Sequence, residues 1–456
     1  MHRLDETLAA LATPPGEGAL AVIRLSGPRS REALLALAVR PPDPLRERYL
    51  HRVDLADSRG RALDEATIVW MPGPRSFTGE DSAEIITHGG SLVPRRVLSA
   101  LQEIGIREAD PGEFSYRAMV KGRMDLMQAE ALAELIHSRS EAERRLALAQ
   151  LGGSLSRRIA PLREELLTLL RDLEAGLDFS EEDIEFVSRS RLNEGLLRLR
   201  RAASELLAGA EQGRLIREGL RVVIAGEPNV GKSSLFNALL EEDRAIVAES
   251  PGTTRDTLRE SLNIGGLLFH FHDTAGLRRS EEEVERLGVA RSEALLGQAQ
   301  ITLWVMDGTR ELSSAERARL ADLDPRREIL IRSKCDLSAF DASRIPLPPK
   351  MRDMNLSALT GEGLVELKSA LFGLATSGRG AEALETEAAL NRRQEARLQA
   401  LAAILEELDE ESVASMEAEI LSSRLREALA ELEGLSGERV GEAILDEIFS
   451  NFCVGK

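Results

Sequence analysis

Residues suited to holding a polyphosphate are concentrated between Gly226 and Leu359. Gly226 to Ser233 reads GEPNVGKS, preceded by the apolar run RVVIA and followed by SLFNALL. A strand, a glycine loop and a helix in that order turn backbone N–H groups around phosphate oxygens, with the positive end of the helix dipole behind them. In such a loop Lys232 reaches the β- and γ-phosphates and the Ser233 hydroxyl ligates Mg²⁺. Average residue usage gives roughly 0.02 accidental matches in a chain of this length, so a plain glycine turn with a surface lysine is the weaker reading. The phosphate-side candidates are Asn229, Val230, Gly231, Lys232, Ser233 and Ser234.

Later segments select the base and the switch. GTTRD, Gly252 to Asp256, lies where a switch segment belongs. There Thr254 completes the Mg²⁺ shell while sensing the γ-phosphate, with Thr253 beside it. DTAG follows the run LLFHFH and contributes Asp273, Thr274, Ala275 and Gly276. The aspartate holds the metal through water, and the Gly276 amide bonds the γ-phosphate. SKCD, Ser333 to Asp336, follows EILIR. The Asp336 carboxylate accepts from both the ring N–H and the exocyclic amine of guanine, a pairing adenine cannot offer. Lys334 stands within the same loop, Cys335 reads as packing, and Ser333 replaces the usual Asn, which puts one supporting hydrogen bond in doubt. Ser357, Ala358 and Leu359 supply a backbone contact to the guanine oxygen.

Hydrolysis follows a less ordinary pattern. Leu277 follows DTAG where many small GTPases place the Gln that orients water, and an alkyl group cannot do that. Arg255, Arg278 and Arg279 lie nearby, but nothing in the sequence singles one out as an arginine finger. Charge compensation must come from elsewhere, and the Asn229 amide oxygen is placed to hold a cation.

These motifs need a scaffold. At 456 residues the chain is too long for one ordinary core and implies two or three domains. RVVIAG, LLFHFH, ITLWVM and EILIRS alternate with helix-like stretches, the pattern of a mostly parallel sheet covered on both faces. Before them, Ala19 to Leu25, Ala66 to Met71 and Ala83 to Thr87 are strand candidates of an α+β domain. Ile159, Leu162, Leu166, Leu169, Leu173 and Leu177 form one helical stripe, and Leu398, Leu401, Leu405 and Leu408 form another. The economical arrangement is one helical domain built from both segments, with the central domain inserted between them. The expected division is 1–120 for the N-terminal domain, 121–218 and 378–456 for the two helical parts, and 219–377 for the insertion.

Composition narrows the classes further. A net charge of −18 argues against a protein that coats nucleic acid through phosphate attraction alone. Arg157, Arg158, Arg198, Arg200 and Arg201 lie in helical stretches, where solvated faces are the plainer reading. Two cysteines, Cys335 and Cys453, give neither a disulfide framework nor paired metal ligands. No apolar run is long enough to span a bilayer, and the N-terminal residues lack a signal-peptide pattern, so a cytoplasmic protein is expected.

The whole chain resembles the tRNA-modification GTPase family called MnmE or TrmE. The likeness runs from ATPPGEGALAVIRLSG through FTGEDSAEIITHGG, DPGEFSYRAMVKGRMDLMQAEALAELI and the GTPase segment to the C-terminal FCVGK. It implies a multidomain α/β protein: an N-terminal α+β folate-binding and dimerisation domain, an all-α helical domain from two chain segments, and an inserted Ras-like P-loop GTPase domain.

It further implies a homodimer acting with a MnmG-type flavoprotein, in which FAD resides, to install an aminomethyl-type group at carbon 5 of the wobble uridine of certain tRNAs. A tetrahydrofolate derivative, 5-formyl or 5,10-methylene, supplies the one-carbon unit. K⁺ takes the place of an arginine finger, held by the Asn229 and Thr253 side chains and the backbone at Ala248 and Ser250. Glu285 orients the water. Folate contacts carry over to Arg24, Glu84, Arg123 and Lys456. Arg123 stands where the family more often has Lys, which keeps the charge and changes the hydrogen-bond geometry. Cys453 is either a nucleophile or a structural thiol in the modification step. The competing reading is a ribosome-assembly or membrane-associated GTPase. The first generally appends a basic RNA-binding domain and the second a membrane element, and the sequence displays neither.

Overall fold

The computed structural model describes residues 4–178, 189–243, 259–273, 297–380, 384, 389–438, 440–450, 452 and 455. The chain divides into two compact units: Met1–Ile136 with Leu148–Ser204 and Ala396–Lys456, and His137–Ala147 with Glu205–Glu395.

The first unit begins with a sheet of β1 (Leu8–Leu11), β2 (Leu20–Ser26), β3 (His51–Ala56), β4 (Ala62–Met71), β5 (Ser82–His88) and β6 (Arg107–Glu108), in the order β3-β4-β5-β2-β1-β6. Pairing is antiparallel except between β1 and β6. Alternation along β2 turns Ile23 and Leu25 into a core with Ile68, Ile85, Leu34 and Val97, under α1 (Ser30–Leu37) and α2 (Val93–Glu103). Arg24 and Glu84 are thereby left on the opposite face, directly paired in register. The three strand segments read from the sequence are strands. LAAL in β1 escapes that reading because it has no β-branched or aromatic residue, and its pairing with β2 makes it a strand.

Helices then take over: α3 (Glu113–Val120), α4 (Leu126–His137), α5 (Glu141–Leu151), α6 (Ser154–Asp178), α7 (Arg189–Ala208) and α8 (Ala210–Glu218). The second unit adds β7 (Leu220–Ala225), α9 (Lys232–Asp243), β8 (Arg259–Ile264), β9 (Leu267–Asp273), β10 (Ile301–Asp307), α10 (Ser314–Ala321), β11 (Glu328–Ser333), β12 (Arg352–Leu356) and α11 (Leu364–Ala375). Its strand order is β12-β11-β10-β7-β9-β8, parallel throughout except for β8 against β9. The four apolar runs are the central strands. RESLNI and RDMNL form the two edges, where burial is partial and no continuous apolar run is required.

The C-terminal segment returns to the first unit through α12 (Arg392–Glu407), α13 (Glu410–Ser415), α14 (Ala418–Ser436) and α15 (Glu442–Ser450). Ile159, Leu162, Leu166 and Leu169 of α6 are buried, and α6 packs along α14, whose Leu421, Leu425, Leu429 and Leu432 are also buried. Leu173 is half-buried, and the Leu177 side chain lies outside the described residues. Leu398, Leu401, Leu405 and Leu408 are completely buried. The helical core therefore draws on two chain segments. Arg157, Arg198 and Arg200 make contacts at its surface. Arg198 pairs with Glu165, and Arg200 donates to the Leu405 and Leu408 carbonyls at the end of α12. Arg157 donates to the Gly152 carbonyl at 2.6 Å. Among the described residues no helix is long and apolar enough to cross a membrane.

Candidate nucleotide site

The site is built on the loop between β7 and α9. Gly226 has φ of 147°, and a Cβ there would lie 2.3 Å from the Val305 carbonyl oxygen of β10, so only glycine fits. Asn229 and Gly231 also take positive φ, 62° and 104°, which coils the loop into α9. Lys232 opens that helix and is almost buried. Its Nζ donates to the carbonyls of Gly226 at 3.0 Å and Glu227 at 2.6 Å, which holds the ammonium against the loop. Ser233 and Ser234 follow in the first helical turn, and Asn229 is exposed.

The base side forms at the ends of β11 and β12. Ser333 is buried, and its hydroxyl lies 2.6 Å from the Val230 carbonyl and 3.1 Å from that of Met306. The short hydroxyl thus ties the base loop to the phosphate loop. Lys334, at φ of 64°, places Nζ 2.5 Å from Oδ2 of Asp307. Burial pushes the Asp307 carboxyl up, but Lys334 and two bonds from Thr309 outweigh it and hold the carboxyl below the ordinary aspartate value. Asp336 is exposed on the same loop. Ser357 is buried, and its Oγ accepts from the N–H groups of Leu359 at 3.3 Å and Thr360 at 3.2 Å, which shapes the turn carrying Ala358 and Leu359.

Two clefts join these parts. One of about 830 Å³ is lined by the phosphate loop from Gly226 to Asn229, by Gly231 to Ser234 and by Lys334. Another of about 150 Å³ shares Gly231, Ser234 and Lys334 with it and reaches Asp336, Ala358 and Leu359. Asp273 ends β9 opposite Ile224, so its backbone lies beside the strand that feeds the loop. Its side chain lies outside the described residues, as do Ala248, Ser250, Thr253, Thr254, Arg255, Thr274, Ala275, Gly276, Leu277, Arg278, Arg279 and Glu285. Sequence reasoning passed over Asp307. A carboxylate ending a parallel strand next to the base-loop strand was the available signal.

The folate candidates lie in the first unit. Arg24 and Glu84 form an ion pair at 2.9 Å, with the Arg24 guanidinium 5.5 Å from the Phe77 ring centre. Arg123 runs its stem past Gly79, where a Cβ would meet its Cγ at 3.3 Å. The 72–81 loop thus touches both arginines. A side chain at Gly455 would meet the Leu11 carbonyl oxygen at 2.7 Å, which puts Gly455 at the end of β1. Lys456 and Cys453 lie outside the described residues.

A mostly parallel sheet with a lysine-bearing glycine loop at the end of one strand and an SKCD loop at another defines a P-loop GTPase. The family model "GTP-binding protein TrmE N-terminus" matches residues 7–123, and "MnmE helical domain" matches residues 126–453. The tRNA modification GTPase MnmE of Heliobacterium modesticaldum is 40% identical, covering 99% of this chain and 100% of that protein. The protein of the same name from Nitrosococcus oceani is 42% identical over 100% of this chain and 98% of its own length. Among solved structures, the G domain of the T. maritima FeoB iron transporter is 29% identical over 34% of this chain and 98% of that chain, with a TM-score of 0.26. The chain belongs to the tRNA modification GTPase MnmE family.

Proposed function

We propose that the chain is a K⁺-dependent GTPase that works as a homodimer with a MnmG-type flavoprotein in the cytoplasm. Together they install a carboxymethylaminomethyl-type group at carbon 5 of the wobble uridine of certain tRNAs, using a tetrahydrofolate one-carbon unit. The observation that carries this reading is the Ser333 bond to the Val230 carbonyl, which ties base loop to phosphate loop in a chain similar end to end to tRNA modification GTPases.

Lys232 and the loop amides would neutralise and orient the β- and γ-phosphates, while Asp336 would select guanine. The Ser233 hydroxyl, in the first turn of α9, suits a Mg²⁺ ligand, with Thr254 as its switch-side partner. Bound there, Mg²⁺ would supply charge neutralisation across the phosphates. For K⁺, the fit rests on Asn229, an exposed amide on a left-handed turn beside the phosphate loop. Thr253 and the backbone at Ala248 and Ser250 would complete its shell. Leu277 cannot orient water, so that task passes to Glu285. Arg24 and Glu84, paired beside Phe77, together with Arg123 and Lys456, would hold folate. Cys453 belongs to the same reaction as nucleophile or structural thiol. The proposed division places the folate domain at 1–120, the helical domain at 121–218 and 378–456, and the GTPase domain at 219–377.

GTP turnover by the full-length protein, compared in KCl and NaCl at equal ionic strength, tests the cation assignment. At least a tenfold faster rate in KCl is expected. Equal slow rates in both salts would contradict it.

A further inference from the structure

Within the phosphate loop, Glu227 brings a negative charge close to where a polyanion must bind. Like charges at that range repel unless one is compensated. Its carboxylate is held on both oxygens. Oε2 accepts from the Arg310 guanidinium at 3.0 Å, and Oε1 accepts from the Ser313 hydroxyl. The same guanidinium forks onto the buried Glu316 carboxylate at 2.9 and 2.8 Å. Ser313 caps α10, and Glu316 closes the capping box by accepting from the Ser313 N–H at 2.9 Å. Arg310 therefore stands on a fixed helix start and serves two carboxylates at once.

The segment that carries Arg310 also reaches the base loop. Its first residue, Asp307, holds Lys334, and the Gly308 N–H donates to the Ser333 carbonyl at 3.2 Å. One short stretch, Asp307 to Ser313, is thus bonded to both nucleotide-binding loops.

We infer that Arg310 is a positioning residue for nucleotide binding: it neutralises and anchors Glu227, so that the phosphate loop receives the nucleotide without a repelling carboxylate. The inference rests on the nucleotide reading of the loop. It predicts an electrostatic coupling between the two residues rather than simple support of the fold. With Arg310 removed, the Glu227 charge is uncompensated and only the Ser313 hydroxyl still holds its carboxylate. With Glu227 also made neutral, little repulsion is left to restore.

The test is a double-mutant cycle on the full-length protein, read as the Kd of a fluorescent GDP analogue at low salt. R310M is expected to raise Kd about tenfold in the native background and less than twofold in the E227Q background. The native loss should shrink as salt is added, since screening weakens repulsion. Equal losses in both backgrounds, or no loss in either, would overturn the inference. Should Glu316, left without its ion-pair partner, prevent R310M from folding, R310K is read in its place. Its single ammonium cannot fork across two carboxylates, so a severalfold loss is expected in the native background and less than twofold beside E227Q. A native protein that binds no GDP analogue at all would instead sink the nucleotide reading itself.

Discussion

The chemistry of the nucleotide site comes down to a few side chains whose roles follow from charge and donor pattern. In the proposed reading Asp336 offers a carboxylate to two guanine donors, and a charge-assisted bond of this kind is worth about 1.5–3 kcal/mol. Replacing it by Asn should weaken GDP binding by about a hundredfold or more and shift preference toward the xanthine nucleotide, whose carbonyl can accept from the new amide. Competition binding with GDP and XDP checks this; an unchanged preference for GDP would remove Asp336 from base recognition. The motif order made Lys232, Ser333 and Asp336 legible in the sequence. Sequence gave no view of what Ser333 touches, because the Val230 carbonyl is 103 residues away along the chain. Glu227 and Arg310 escaped for the same reason: an exposed-looking Glu and Arg acquire a meeting point only when β7 and β10 pair.

Elements were legible where the apolar pattern was strong. The four central strands of the GTPase sheet are apolar because both faces are covered, and the leucine stripes are periodic because each helix buries one face. The edge strands β8 and β12, half-exposed and polar, carry too little pattern to be read. The helical stripe yields its own prediction. Leu405 is completely buried in α12, so Leu405→Ala should cost about 2–5 kcal/mol through lost transfer energy and the cavity left behind. Urea unfolding followed by circular dichroism measures it. A loss under about 1 kcal/mol would mean that the stripe is not a packed core.

Across the whole molecule, the fold class was legible because two separated helical segments with unsatisfied apolar stripes had to share a core; α6 packs along α14, a helix of the C-terminal segment other than the one that carries the predicted stripe. The place of Gly455 was not. That Gly455 lies against Leu11 and Ala12 depends on a close approach of distant backbone that no periodicity encodes. The proposal assigns GTP turnover and folate chemistry to different parts of one chain, in the service of a single tRNA product. The most direct measurement is mass-spectrometric nucleoside analysis of tRNA from cells lacking the gene, complemented with the native chain or with Lys232→Ala. The account predicts that the carbon-5 substituent of the wobble uridine is lost on deletion, returns with the native chain and stays absent with the Lys232 variant. Unchanged wobble uridines in the deletion would contradict it.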